Sequence, residues 1–92
     1  MMINFKKFEA QTSFDGTKQV FDIAEALGNN LMYNGSVLLD IGFEELAREI
    51  YYSEEEVDIP EKYSEAIKQV VRCSGFIASV KREVINRLDG KE

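Results

Sequence analysis

With 92 residues, no histidine, one cysteine and a formal net charge of −6, the chain has room for one core. It lacks the means for an internal disulfide, most zinc sites, a Ser-His-Asp or Cys-His nucleophile, or a histidine switch. Residues 1–61 carry 13 acidic and 4 basic side chains and residues 62–92 carry 4 and 7, so a phosphate backbone is repelled unless the basic end forms a concentrated patch.

A composition of 45% hydrophobic and 30% charged residues is that of a folded globule, expected as one domain over 1–92. The stretch "MMINFKKFEA" has no apolar run of signal-peptide length, and no segment approaches the ~18 to 20 apolar residues that span a bilayer. A cytoplasmic protein without membrane contact is expected.

Ile3, Phe5, Phe8 and Ala10 alternate imperfectly with polar residues, because Lys6 and Lys7 are adjacent; a small bulge would restore the register. Asp15-Gly16 is a tight-turn signal, and "TKQVF" reads as the return strand. Residues 3–21 are therefore expected as a β-hairpin, with Phe5, Phe8 and Val20 under a helical cover.

Asp22 to Glu25 fits a capping box, in which the Asp22 carboxylate accepts from the amide three residues on. Ile23, Leu27 and Leu31 then recur on one helical face, ending at Asn34-Gly35. Gly28 weakens that helix by about 1 kcal/mol relative to alanine, a cost that close approach of another element explains.

"SVLLDI", residues 36–41, reads as a strand or a helical turn, with a turn leading into the next helix favoured. That helix, over about 43–53, buries Phe43, Leu46, Ala47, Ile50 and Tyr51 and exposes Glu44, Glu45, Arg48 and Glu49. "VDI", residues 57–59, alternates as a short third strand on the hairpin's edge.

Pro60 suits the first position of a following helix, whose stripe is Tyr63, Ala66, Ile67, Val70 and Val71 and whose end is Gly75. A last helix over about 76–88 presents Ile77, Val80, Val84 and Leu88. The fold class is α+β: an N-terminal hairpin packed against three to four helices.

The segment 43–60 has the spacing of a helix-turn-helix, with Leu46, Ala47 and Ile50 in the first helix and Val57 as the anchor of the second. Tyr51 occupies the turn position where glycine is usual. The supposed recognition helix would open Ser53-Glu54-Glu55-Glu56, with Asp58 behind it, against phosphates and base edges that are mostly acceptors. Repulsion outweighs the partial match, and no direct nucleic-acid binding is expected.

The same run lacks the alternate spacing and the glycine of a calcium loop. It reads as a solvated surface, with no metal or cofactor expected. An acid–base pair needs two carboxylates held in different environments around a cleft, and nothing marks such a pair.

Cys73, beside Arg72 but near a helix end, suits a semi-buried packing role. Asn34-Gly35-Ser36 spells a glycosylation acceptor with no secretory context. Lys81, Arg82 and Arg87 spread round the last helix, which favours the acidic half of this chain or of a second copy as their partner. Tyr51 and Tyr52 are adjacent and cannot both face inward, so Tyr52 is expected at the surface or in a contact.

"FDIAEALGNNLMY" and "ELAREIYYSEEEVDIPEKYSEAIKQVV" together resemble small uncharacterised proteins encoded by bacterial prophages and other mobile elements. The resemblance covers residues 3–72 as a pattern of elements and implies a gene context, with no catalytic or binding residue carried across.

Three functions follow from these readings. One is a non-catalytic protein–protein interaction module, with a homodimer as one form it could take, acting through Glu44, Glu45, Glu49, Tyr52, Glu54, Glu55, Glu56 and Asp58. Another is an acidic decoy that imitates nucleic acid and occupies a basic host protein. The third is an enzyme with a carboxylate site that sequence does not reveal.

Overall fold

The computed structural model describes residues 1–35 and 41–90. The break in alternation at the two lysines is a turn rather than a bulge. Asn4 Oδ1 accepts from the amides of Lys6 at 3.0 Å and Lys7 at 2.9 Å, the short-range bonding by which asparagine reverses a chain. One expected strand thus becomes two, β1 (Met2–Asn4) and β2 (Phe8–Gln11).

Strand β2 pairs antiparallel with β3 (Lys18–Phe21), which makes the hairpin. Gly16, at φ +97, closes its loop by donating to the Ser13 carbonyl at 3.2 Å. Asp15 Oδ1 accepts from the Thr17 amide at 2.9 Å and the Thr17 hydroxyl at 2.6 Å, and these bonds hold the Asp15 carboxyl below its ordinary value.

The expected third strand exists, as β4 (Glu56–Asp58), but it does not extend the hairpin. It pairs antiparallel with β1, setting Ile3 opposite Val57 in a separate two-stranded sheet. Both of those side chains are buried. The turn at Lys6 and Lys7 frees β1 from the hairpin, and the Ile3–Val57 pair is what the freed strand buries.

Helix α1 (Ala24–Gly35) follows the hairpin. Asp22 Oδ1 accepts from the Ala24 amide at 3.4 Å, two residues on rather than three. Its other oxygen takes Lys6 Nζ at 3.1 Å, so the carboxylate is shared between the cap and an ion pair. The question raised by "SVLLDI" falls on residues 36–40, outside the described residues, and Ile41 opens α2 (Ile41–Tyr51).

Helices α1 and α2 cross at Gly28. A Cβ there would lie 2.6 Å from Tyr51 Cβ and 2.9 Å from the Ala47 carbonyl oxygen. This is the close approach that the glycine implied.

Pro60 is extended, with φ −61 and ψ 135, and precedes a 3₁₀ turn at Glu61–Tyr63 instead of opening an α-helix. Helix α3 (Ser64–Arg72) comes next, then α4 (Ala78–Leu88). The described residues thus form an α+β fold of four helices and two small antiparallel sheets.

Phe43, Leu46, Ile50, Ile67, Val80 and Val84 are buried as the periodicity requires, whereas Val70 is half-buried. Phe5 and Phe8 stack at 6.2 Å inside the core. Val20 is 62% exposed, because its cross-strand partner is Glu9 on the outer face of the hairpin. Cys73 is exposed rather than packed. Ile77 is exposed too, while its neighbour Phe76 packs on the core.

Two cations fasten α4. Arg87 lies 4.3 Å over the Phe8 ring and donates to the Glu9 carbonyl at 2.9 Å and to Glu83 at 3.0 Å. Lys68 of α3, buried along its stem, pairs with Glu65 at 3.1 Å and with Asp89 just past α4. Those bonds hold its ammonium above the ordinary lysine value, the one to Asp89 contributing most.

Candidate functional site

Antiparallel packing of α1 and α2 leaves a cleft of about 190 Å³ on their outer side. Its floor is low because Gly28 and Ala47 supply it, and both are buried. Met32 walls one side, and Tyr51 and Tyr52 wall the other, their rings edge to face at 4.8 Å. Tyr52 is 72% exposed, as expected of the outer member of the pair, and Met32 is 54% exposed.

Ile41 and Tyr33 add exposed apolar surface on the same two helices. Positions 41, 45, 48 and 52 recur at helical spacing, so Ile41 and Tyr52 lie on one face of α2, about 16 Å apart.

Acidic side chains outnumber basic ones in this part of the sequence. Between Asp22 and Asp58 the chain holds ten acidic side chains and one basic one, Arg48. Glu44 and Arg48 line the cleft itself. Glu25 stands four and seven residues before the cleft residues Asn29 and Met32, on their helical face.

Outside the cleft lining, Lys6 is held above the ordinary lysine value. The cause is first its hydrogen bond to Asp22, then the charge of that carboxylate, then Glu54 and, less, Glu25. Glu25 and Glu54 therefore both act on the Lys6 ammonium, which Asp22 already holds. Glu25, Glu44, Glu45, Glu49, Glu54, Glu55 and Glu56 make no ion pair among the described residues.

Of the acidic side chains that the sequence singled out, Glu44, Glu45 and Glu49 stand exposed on α2. Glu54 and Glu55 stand exposed in the following loop, and Glu56 and Asp58 on the outer face of β4. Asp58 takes the Met1 amino group at 3.1 Å, which removes it from the unpaired set. The segment after α2, where a recognition helix would lie, is a loop and a strand.

Sequence reasoning missed Met32 and the cleft floor. Helical spacing was the available signal, since Gly28 and Met32 sit at i and i+4 on α1. Among the described residues, no three acids or cysteines converge as a metal would need, and no helix is long and apolar enough to cross a membrane.

Comparison with known proteins gives no match. No family model, no curated protein and no solved structure aligns with the chain.

A second groove, of about 490 Å³, runs between the hairpin tip and α4 past Ser13, Phe14, Ser79, Arg82 and Asn86. Its walls are mixed and polar, with no dominant sign of charge. What the α1–α2 surface offers is contact chemistry: aromatic and thioether area, polar tips, and a rim of unpaired carboxylates.

Proposed function

We propose that the chain is a non-catalytic, cytoplasmic protein–protein interaction module whose contact surface is the outer side of α1 and α2. One observation carries the reading: Glu25, Glu44, Glu45, Glu49, Glu54 and Glu55 make no ion pair among the described residues, while Tyr52 and Met32 stand exposed beside the cleft. Isolated exposed apolar residues are ordinary. An exposed tyrosine and methionine beside a cleft, with Arg48 its one lining cation and several glutamates on the same helices, is the composition of a recognition surface.

Glu49, Glu54 and Glu55 also stand at or beyond the negative end of the α2 dipole, where carboxylates work against the helix. Their arrangement therefore serves something other than the fold. The partner is a positively charged protein surface, which such a rim attracts over distance and aligns. The resemblance to prophage-encoded proteins agrees with this reading in gene context alone.

The test is capture from a lysate of the native host on immobilised chain at low and at high salt. A variant carrying Glu44→Lys, Glu45→Lys and Glu49→Lys runs in parallel. A protein held at low salt by the unaltered chain, released by salt and ignored by the variant supports the reading. Identical capture by both defeats it. If the captured protein is itself a nucleic-acid binder and competes with its DNA or RNA for the chain, the module is a nucleic-acid-mimicking decoy.

A further inference from the structure

We infer that the occupant of the α1–α2 cleft is a basic amphipathic helix that seats one apolar side chain on the Gly28–Ala47 floor and lays its lysines or arginines against the glutamate rim. The inference rests on the interaction-module reading and adds the shape and chemistry of the partner.

Size argues first. At about 190 Å³ the cleft falls below the ~300–1,000 Å³ of small-molecule sites, but it has room for a single large side chain. Form argues next. A trough between two antiparallel helices is the complement of a third helix, whose ridge enters it as in helix-in-groove recognition. The low floor lets that helix come close, and the cleft's lining runs from Glu44 to Tyr52, a length of about 12 Å or two helical turns.

Charge then selects the occupant. Glu44 lines the trough with Arg48, Glu45 and Glu49 stand exposed on α2, and Glu54 and Glu55 stand exposed just past its end, none of these glutamates in an ion pair among the described residues. A neutral or acidic helix would leave these carboxylates opposed by nothing or by their own kind.

A second copy of the chain fits less well, because the cations that make no ion pair among the described residues, Lys7, Arg48, Lys62, Arg72, Lys81 and Arg82, are scattered over separate elements rather than aligned along one helix. Lys6 pairs with Asp22, Lys18 with Glu9, Lys68 with Glu65 and Asp89, and Arg87 with Glu83. Lys81 donates to the Arg72 carbonyl.

The probe is a synthetic three-turn peptide of lysine, alanine and leucine with one central tryptophan. A charge-matched peptide with glycine in place of the tryptophan is its control. Binding to the whole chain is followed by calorimetry at low salt.

The anchored peptide is expected to bind at least about tenfold more tightly than the control, and Tyr52→Ala to remove that advantage. Tyr52 is exposed, so the variant keeps its fold, which circular dichroism checks. The triple Glu-to-Lys variant weakens both peptides.

Equal affinities for the two peptides, unmoved by Tyr52→Ala, overturn the cleft inference and leave the acidic-surface reading standing. No binding of either peptide, together with an empty lysate capture, overturns both. Concentration-dependent dimerisation that Tyr52→Ala abolishes assigns the cleft to a second copy and overturns the inference.

Discussion

Gly28 sets the distance between two helices, and its replacement separates propensity from packing. Alanine at this position gains about 1 kcal/mol of helix propensity. Its methyl group would meet the backbone at Ala47 and Tyr51 closer than 3.0 Å, and backbone cannot rotate away. The helices must part, at a cost of about 1–3 kcal/mol or more. Gly28→Ala is therefore expected to lower stability in urea denaturation, and a gain of the propensity term alone would show that the helices do not meet as described. Leu46→Ala and Ile67→Ala, at 5% and 0% exposure, are expected to cost about 2–5 kcal/mol each. A loss below about 0.5 kcal/mol would place either residue outside the core. At this scale the sequence was informative where one residue has one physical explanation. A mid-helix glycine needs a close neighbour, and Leu46 and Ile67 repeat with their stripes. It was silent on Lys68, because a charged side chain buries only when partners arrive from elsewhere in the chain.

Elements were legible where an apolar stripe recurs at helical spacing over eleven residues, as in α2 and α4. They were misread where a nonlocal partner decides. Nothing between residues 2 and 12 says that "MIN", residues 2–4, pairs with "EVD", residues 56–58, since alternation gives a strand's faces but not its neighbour. The join of α3 to α4 is likewise nonlocal, and Lys68 between Glu65 and Asp89 is its charged fastening. The ammonium has a raised pKa in the folded chain. Its contribution is therefore complete below the ordinary lysine value of 10.5 and is lost as pH rises through the higher folded value. Lys68→Met keeps the apolar stem and has no such group. Chemical denaturation of the two proteins is expected to give a constant difference in stability from neutral pH to about 9. Above that ordinary value the unaltered chain falls relative to the variant, the other lysines and tyrosines cancelling in the comparison. Parallel curves throughout would mean that the pair does not hold the charged form.

For the whole molecule, the acidic surface was legible as composition and illegible as a site. The glutamates can be counted along the chain, but the cleft they surround exists only once α1 and α2 cross at Gly28. Met32 gains its meaning from Tyr52 on the opposite wall. The same surface sets a conflict between stability and recognition that a pair of substitutions can expose. Glu44 lies in the first turn of α2, where the dipole favours a negative charge, and Glu49 lies in its last turn, where it does not. Glu54, Glu55 and Glu56 follow beyond that same end. Glu49→Gln removes one charge from a repelling group and is expected to raise Tm at low ionic strength. Glu44→Gln is expected to leave Tm unchanged or lower it. Because these side chains are exposed, salt near 0.1 M, with a Debye length of about 10 Å, should shrink the Glu49 effect. If Glu49→Gln instead lowers Tm at every salt concentration, its carboxylate supports the fold. The rim would then owe its charge to packing rather than to a partner. If Tm rises while the basic peptide binds less tightly, one carboxylate costs the fold what it contributes to the contact, the trade expected of a surface shaped by its partner.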